Sequence, residues 1–278
     1  MKKTSQNLAW HQSLASIFSR KPCSDSVDEL LRSLERLVDG VNSMAILYAH
    51  GGAPRVTHHR LLANESLNLN IDMYTEGAYL LDPFYCHFMK QKQDGVYSLQ
   101  QMAPDGFKES EYFNVYYRNA NQEDEVCFLF TINDSLSGSI SIGRSSTTNP
   151  NPFSAEEIQR LEERLPIVKL IYSQWAEHST QDSASTLVSH LDNALQNFGT
   201  SLLTPKECEI LQFTLHGYSL KSIAEKLDNS QETIKHHRKN IYTKLDISSQ
   251  AELFHLFISS LRSMPASSSA DPLKTYSA

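Results

Sequence analysis

Cysteine is scarce in this chain. Cys23, Cys86, Cys127 and Cys208 are the only four among 278 residues, they stand far apart, and no two form a CxxC pair. That excludes a disulfide-stapled scaffold and the usual zinc-ligand spacing, and it fits a reduced, cytoplasmic setting. Glycine is also scarce, at ten residues, and none falls in a GxSxG, Walker or GxGxxG array. Nucleophile elbows and phosphate-cradling loops are therefore not expected. No apolar run approaches the roughly 20 residues that a membrane-spanning helix needs. Lys2 and Lys3 have no apolar stretch behind them, so no secretory signal is expected. Positive charge is in deficit, with 25 Lys and Arg against 32 Asp and Glu, a net of -7. A wholly cationic nucleic-acid coat is excluded, although an average can conceal a local basic patch.

What is present predicts folded structure. Apolar residues make up 40% and charged residues 21%, which excludes a disordered whole, and the length suits two ordinary domains. Leu8, Leu14, Ile17 and Phe18 suggest a first amphipathic helix. Ser26 and Glu29 read as a capping box ahead of Leu30, Leu31, Leu34, Leu37 and Val38 at helical spacing. Strands are expected at 44–49 and 55–61 around a Gly51–Pro54 turn, and again at 126–132 and 138–144 around Asn133–Ser135. Between these pairs lie an aromatic, mostly helical stretch from 67 to 90, broken at Asp82-Pro83, and a further helix near 109–118. Ser154 and Glu157 form a second capping box, opening a long helix to about Trp175 that Pro166 is placed to kink. The order of elements predicts an α+β domain with one antiparallel sheet and flanking helices. Residues 178–186 are small and polar, as a linker is, and a short helix carrying Leu187, Leu191 and Leu195 follows.

Residues 203–259 differ in kind. Thr204, Pro205 and Glu207 supply an N-cap, a first-turn proline and a capping-box acid, ahead of Ile210, Leu211 and Leu215; Gly217 is placed to end that helix. Ser219 then caps a helix with inward Ile223, Ala224 and Leu227. Asp228-Asn229 turns the chain, and Ser230 caps a third helix with a stripe of Ile234, Ile241 and Leu245. A fourth helix from about Ser248 buries Leu253, Phe254 and Phe257. Two short helices joined by a tight turn inside a small helical core describe helix-turn-helix geometry, with the third helix in the major groove. Its outer face carries Lys235, Arg238, Lys239 and Lys244 against Glu232, a net of +3. Residues 200–262 are net +1 while the remainder is -8, so basic charge gathers where a phosphate backbone would lie.

The blocks Leu203–Glu207, Ser222–Leu227, Ser230–His237 and Ile241–Leu245 resemble the LuxR-type helix-turn-helix over about 57 residues. The resemblance implies DNA contacts from Ser219, Lys221, Ser230, Thr233, Lys235, His236, Arg238, Lys239 and Lys244. Thr233 is then expected on a phosphate, and Lys235 and Lys239 on base edges or phosphates. Lys221 and the bulky His236 depart from the family pattern, so the resemblance implies the module and not an operator sequence. The resemblance also makes Leu253 and Leu256 dimer-contact candidates.

A phosphoreceiver domain is excluded upstream, because residues 41–50 hold no acidic pair and βα alternation is absent. The segment Tyr74–Pro83 instead looks like the autoinducer-binding domain of LuxR-type regulators, in which aromatics precede an Asp-Pro whose Asp accepts from the ligand amide. The family's Trp is missing, with Asn70 or Ile71 in its place, and the Tyr79-to-Asp82 spacing is one residue short. A diverged or more general GAF- or PAS-like sensor is implied rather than an acyl-homoserine lactone receptor. The ligand candidates are Tyr74, Tyr79, Asp82, Tyr85, Tyr97 and Tyr116, since pockets combine aromatic walls with a few polar anchors. Each has a plainer role open to it, as core, as dimer interface, or, for Asp82, as a helix cap.

Four segments follow: an α+β sensing and dimerisation domain over 1–177, a linker with a short helix over 178–199, an all-α four-helix helix-turn-helix domain over 200–262, and a disordered tail over 263–278. The expected function is transcription regulation, with partners an operator duplex, a small effector and a second copy of the chain. No cofactor, no metal, no membrane partner and no enzymatic activity are expected. The rival is a regulator whose amino-terminal domain only mediates protein contacts or dimerisation.

Overall fold

The computed structural model describes residues 2–40, 42–49, 52–60, 66–119, 121–145, 149–180, 190–263 and 270–276. In chain order the elements begin α1 (Lys2–Phe18), α2 (Ser24–Val38), β1 (Asn42–Ala49), β2 (Arg55–Arg60) and α3 (Ser66–Glu76). After a 3-10 turn at Ala78–Leu81 come α4 (Pro83–Gln91), β3 (Gly95–Ser98) and α5 (Leu99–Met102). A second 3-10 turn at Phe107–Glu109, the single turn α6 (Glu111–Phe113) and a π turn at Asn114–Arg118 precede β4 (Gln122–Asn133) and β5 (Leu136–Ser145). The remaining elements are α7 (Ala155–Glu162), α8 (Leu165–Thr180), α9 (His190–Asn197), α10 (Pro205–Leu215), α11 (Leu220–Lys226), α12 (Gln231–Leu245), α13 (Gln250–Arg262) and α14 (Pro272–Tyr276). The chain forms two compact units: residues 1–67, 87–102 and 120–186, and residues 68–86, 103–119 and 187–278.

The first unit is an antiparallel five-stranded sheet in the order β2-β1-β5-β4-β3, with helices against it. Alternation along the strands sends Ala45 and Leu47, Val126, Phe128 and Phe130, and Ile140 and Ile142 into one core with Leu30 and Leu34 of α2 and Val168 and Tyr172 of α8. Arg144 on β5 is fully buried. It donates to the carbonyls of Val38, Asn151 and Pro152 and to the Glu157 carboxylate at 2.8 Å, and it stacks 4.0 Å from the Phe153 ring. One guanidinium thus joins the end of α2, β5 and the start of α7, its charge matched where it is desolvated. The Ser154 capping box forms in full.

Several expectations are corrected here. On α1 the inward face is Trp10, Ser13, Leu14 and Ile17, at i, i+3, i+4 and i+7, while Leu8 and Phe18 are exposed. Ser26 and Glu29 make no capping box, because α2 starts at Ser24, three residues earlier than a Ser26 cap would set it, after an extended Cys23. Ser26 is buried, and Glu29 pairs with Arg20 instead. The expected long helix is two, α7 and α8, since Pro166 lacks the N–H needed to carry one helix through and is accommodated in the first turn of α8. Strand β3 was not expected. Residues 181–189, the centre of the expected linker, lie outside the described residues.

The second unit holds the helix-turn-helix. Thr204 caps α10 in a full capping box, Ser219 caps α11 and Ser230 caps α12. Gly217, at φ +83°, lets the chain reverse between α10 and α11. Ile210, Leu211, Ile223, Ile234, Ile241, Leu253 and Phe257 are buried, with Phe198 of the preceding segment edge-on to Phe257. Leu253 is fully buried and unavailable as a dimer contact; Leu256 is half-buried. The tail expected to be disordered carries α14, and buried Asp271 accepts from the backbone N–H groups of Gly199, Ser201 and Leu273 and from the Ser201 hydroxyl.

Candidate nucleic-acid interface and effector site

The Ser230 hydroxyl accepts the Thr233 N–H at 3.0 Å, and the two hydroxyls are 2.8 Å apart, so the start of α12 is locally locked. From there the 3.6-residue period turns Ile234, Ile241 and Leu245 inward and leaves Lys235, His236 and Lys239 exposed together. Lys235 makes only an exposed i,i+3 pair with Glu232 at 3.3 Å, and Lys239 makes no ion pair among the described residues. Both ammonium groups are available to a polyanion, since exposed pairs are weak and exchange readily.

The other candidates occupy different surroundings. Arg238 is half-buried with its guanidinium 5.9 Å from the Tyr242 ring. Lys221 is exposed and 3.9 Å from Glu225 on its own helix. Ser219 accepts the Ser222 N–H as a cap, and its own hydroxyl donates to Asp105. Lys244 reaches back to Glu207 of α10 at 2.6 Å. Burial alone would raise the Glu207 carboxyl; Lys244 and the Thr204 N–H and hydroxyl outweigh it and hold the group at about 2. Lys244 is therefore tied into the α10–α12 packing. His237 is half-buried, its Nδ1 without a hydrogen-bond partner among the described residues.

The ligand candidates divide. Tyr74, Tyr79, Asp82, Tyr85 and Tyr116 belong to the unit that contains the helix-turn-helix, whereas Tyr97 lies on β3 of the other unit, its hydroxyl on the Gln93 carbonyl. Asp82 follows the Ala78–Leu81 turn. Its Oδ1 accepts the Phe84 N–H and its Oδ2 the Tyr74 hydroxyl, both at 2.8 Å. Burial raises the carboxyl to about 6 although both bonds favour the charged form. Tyr74 contacts Tyr79 and Tyr116 through its ring, and Tyr79 stacks edge-on with Tyr85 at 4.8 Å. The Tyr116 hydroxyl is buried with no hydrogen-bond partner among the described residues, and burial pushes its pKa up. Cys86 donates to the Leu80 carbonyl, while His87, in the other unit, packs against Tyr97.

Asp105 is the residue that sequence reasoning missed. As Asp-Gly after Pro104 it reads only as a turn.

Residues 201–257 match the family described as bacterial regulatory proteins, luxR family. A putative HTH-type transcriptional regulator of Aeromonas salmonicida is 30% identical over 192 residues, which covers 66% of this chain and 96% of the relative. The chain belongs to the LuxR family of transcription regulators. The monoamine regulon transcriptional regulator of Klebsiella aerogenes is 33% identical to this LuxR-family chain over 102 residues, 37% of each. Among solved structures, the LBD domain of VqsR from Pseudomonas aeruginosa superposes with a TM-score of 0.52 at 23% identity, covering 61% of this chain and 97% of that one. That likeness is one of fold, an antiparallel sheet with flanking helices. Among the described residues no helix is long and apolar enough to cross a membrane.

Proposed function

We propose that this LuxR-family regulator binds its operator as a homodimer through α11 and α12, and that a small effector bound at Asp82 controls that binding. Lys235 and Lys239 contact the duplex directly, with His236 beside them. Ser230 and Thr233 hold the start of α12 at the backbone, and Ser219, Lys221 and Arg238 flank it. A pair of chains reads half-sites about one helical turn, roughly 34 Å, apart.

The observation that carries the effector reading is the Tyr116 hydroxyl, buried without a hydrogen-bond partner among the described residues, in an aromatic cluster that also holds Tyr74 and Asp82. A buried hydroxyl left unbonded costs about 1–3 kcal/mol, which a ligand with a matching polar group recovers. Asp82 accepts from a ligand amide or amine, and Tyr74, Tyr79 and Tyr85 supply apolar wall. Tyr97 is not part of this cluster.

A thermal-shift screen of the whole chain against amides, amines, aromatic acids and acyl lactones tests the reading. A ligand at a hundredfold excess over its dissociation constant stabilises by about 2.7 kcal/mol. A shift that disappears in Asp82→Ala and Tyr116→Phe supports effector binding here. A shift untouched by both substitutions moves the site elsewhere, and a flat screen with tight, ligand-free operator binding favours a purely protein-contacting amino-terminal domain.

A further inference from the structure

The end of α2 and the end of β2 enclose a cleft of about 350 Å³, lined by Arg32, Glu35, Arg36, Asp39, Gly40 and Arg60. All six residues belong to the unit that holds the sheet. None carries an apolar side chain, so the cleft is unsuited to the acyl and aryl groups that most small-molecule pockets take. Its charges are unevenly matched. Glu35 is buried and engaged: Oε1 accepts the Ser43 hydroxyl at 2.6 Å, and Arg60 Nε lies 3.2 and 3.1 Å from its two oxygens. That pairing occupies Nε, while the terminal nitrogens of Arg60 make no hydrogen bond among the described residues. Arg32 and Arg36 are exposed, one turn apart on α2. Neither makes an ion pair among the described residues, although Asp28 and Asp39 stand within helical reach of them. Like charges at this spacing repel, so helix stability gives no reason for the pair. The rim is fixed in place: α2 ends pressed against β5, where any side chain at Gly40 would overlap Ile142.

We propose that this cleft binds a phosphorylated, hydroxyl-bearing metabolite, a sugar phosphate in class. Three guanidiniums against two carboxylates give the cleft a net charge of +1. Arg32 and Arg36 hold the phosphate, since guanidinium forks match its oxygens two at a time, and the terminal nitrogens of Arg60 complete the set of donors. The Arg60–Glu35 pair is the floor, balanced before any ligand enters. Asp39 sets the rest of the ligand: its carboxylate accepts from hydroxyl groups and repels a second carboxylate. The chain thereby takes a chemical input in its sheet-containing unit, and this inference does not rest on the effector reading of Asp82.

The test is calorimetric titration of the full chain at low salt with ribose 5-phosphate, inorganic phosphate and succinate. Ribose 5-phosphate should bind, and Arg32→Gln with Arg36→Gln should weaken it about tenfold or more. Arg60 is left in place, because its removal would strand the buried Glu35. Asp39→Asn, which suits the left-handed backbone there, should bring succinate affinity up toward that for the phosphate ester. The absence of ribose 5-phosphate binding overturns the proposal. Binding that survives the double arginine variant but is lost in Lys235→Ala with Lys239→Ala places the anion on α12 and also overturns it. Inorganic phosphate binding as tightly as the ester reduces the cleft to an adventitious ion site only, and succinate binding equally well to the unaltered chain rules out the phosphate-ester class.

Discussion

Lys244 of α12 and Glu207 of α10 are joined by a 2.6 Å ion pair, and that pair sorts the basic residues of the recognition helix into two kinds. Glu207 also completes the Thr204 capping box, so one carboxylate secures both the start of α10 and the approach of α12. Lys244→Met should lower stability by about 1–2 kcal/mol, less than for a fully buried pair because Lys244 is partly exposed. Urea denaturation measures the loss. Affinity for duplex DNA, corrected for the folded fraction, should change little; a drop as large as that of Lys239→Ala would return Lys244 to the interface.

Lys235 and Lys239 are the other kind. Replacing both by Ala should flatten the dependence of log K on log salt by about one to two units, each phosphate contact contributing about 0.9. Titration from 50 to 200 mM salt reads this slope. An unaltered slope removes both residues from the phosphate contacts.

Asp82 and Glu207 respond to pH in opposite senses. Asp82 is raised to about 6 in the folded chain, so the native state holds the extra proton between about 4 and 6 and stability falls as pH rises through that window. Glu207 is lowered to about 2, so its contribution is complete above about 4.5 and is lost as pH falls toward 2. Asp82→Asn should remove the loss between pH 4 and 6, worth about 1–2 kcal/mol after allowance for its half-burial. Chemical denaturation at pH 4.5 and 7 checks it; an unchanged difference between the two pH values would contradict the assignment.

Asp271 accepts four hydrogen bonds, three of them from backbone N–H groups around Gly199 and α14. Asp271→Ala strands those donors and should cost about 2–3 kcal/mol. A chain ending at Arg262 should lose a similar amount, although every residue matched to the family would be intact. Equal thermal stability of the shortened and full chains would show that the tail is dispensable.

The helix-turn-helix was legible because its signals are local. Thr204, Ser219 and Ser230 each cap within three residues, and the Ile234, Ile241 and Leu245 stripe follows from period alone. The four longer strands were legible for the same reason, by alternation. Strand β3 was not: Gly95–Ser98 offers too few residues to show a period. The Ser26 box failed because a cap motif marks a start only if the chain is extended there, and Cys23 is where it is extended. Arg144, Asp105 and Asp271 were invisible, each acting on groups distant in sequence. Tyr97 was grouped with the other tyrosines by closeness along the chain, and strand pairing takes it to β4.

The ends of the sheet have a bearing on how two copies could meet. Strand β2, at one edge, carries Arg55, His59 and Arg60 and pairs with β1 through a register shift at Ala45/Ile46; at the other edge β3 is four residues long. Continuing the sheet from one molecule into the next would set like charges face to face along β2, or leave most of β4 without a match beyond β3. The fold thus discourages open-ended, fibre-like growth through its strands and leaves self-association to helical surfaces, where a pair can close on itself and stop.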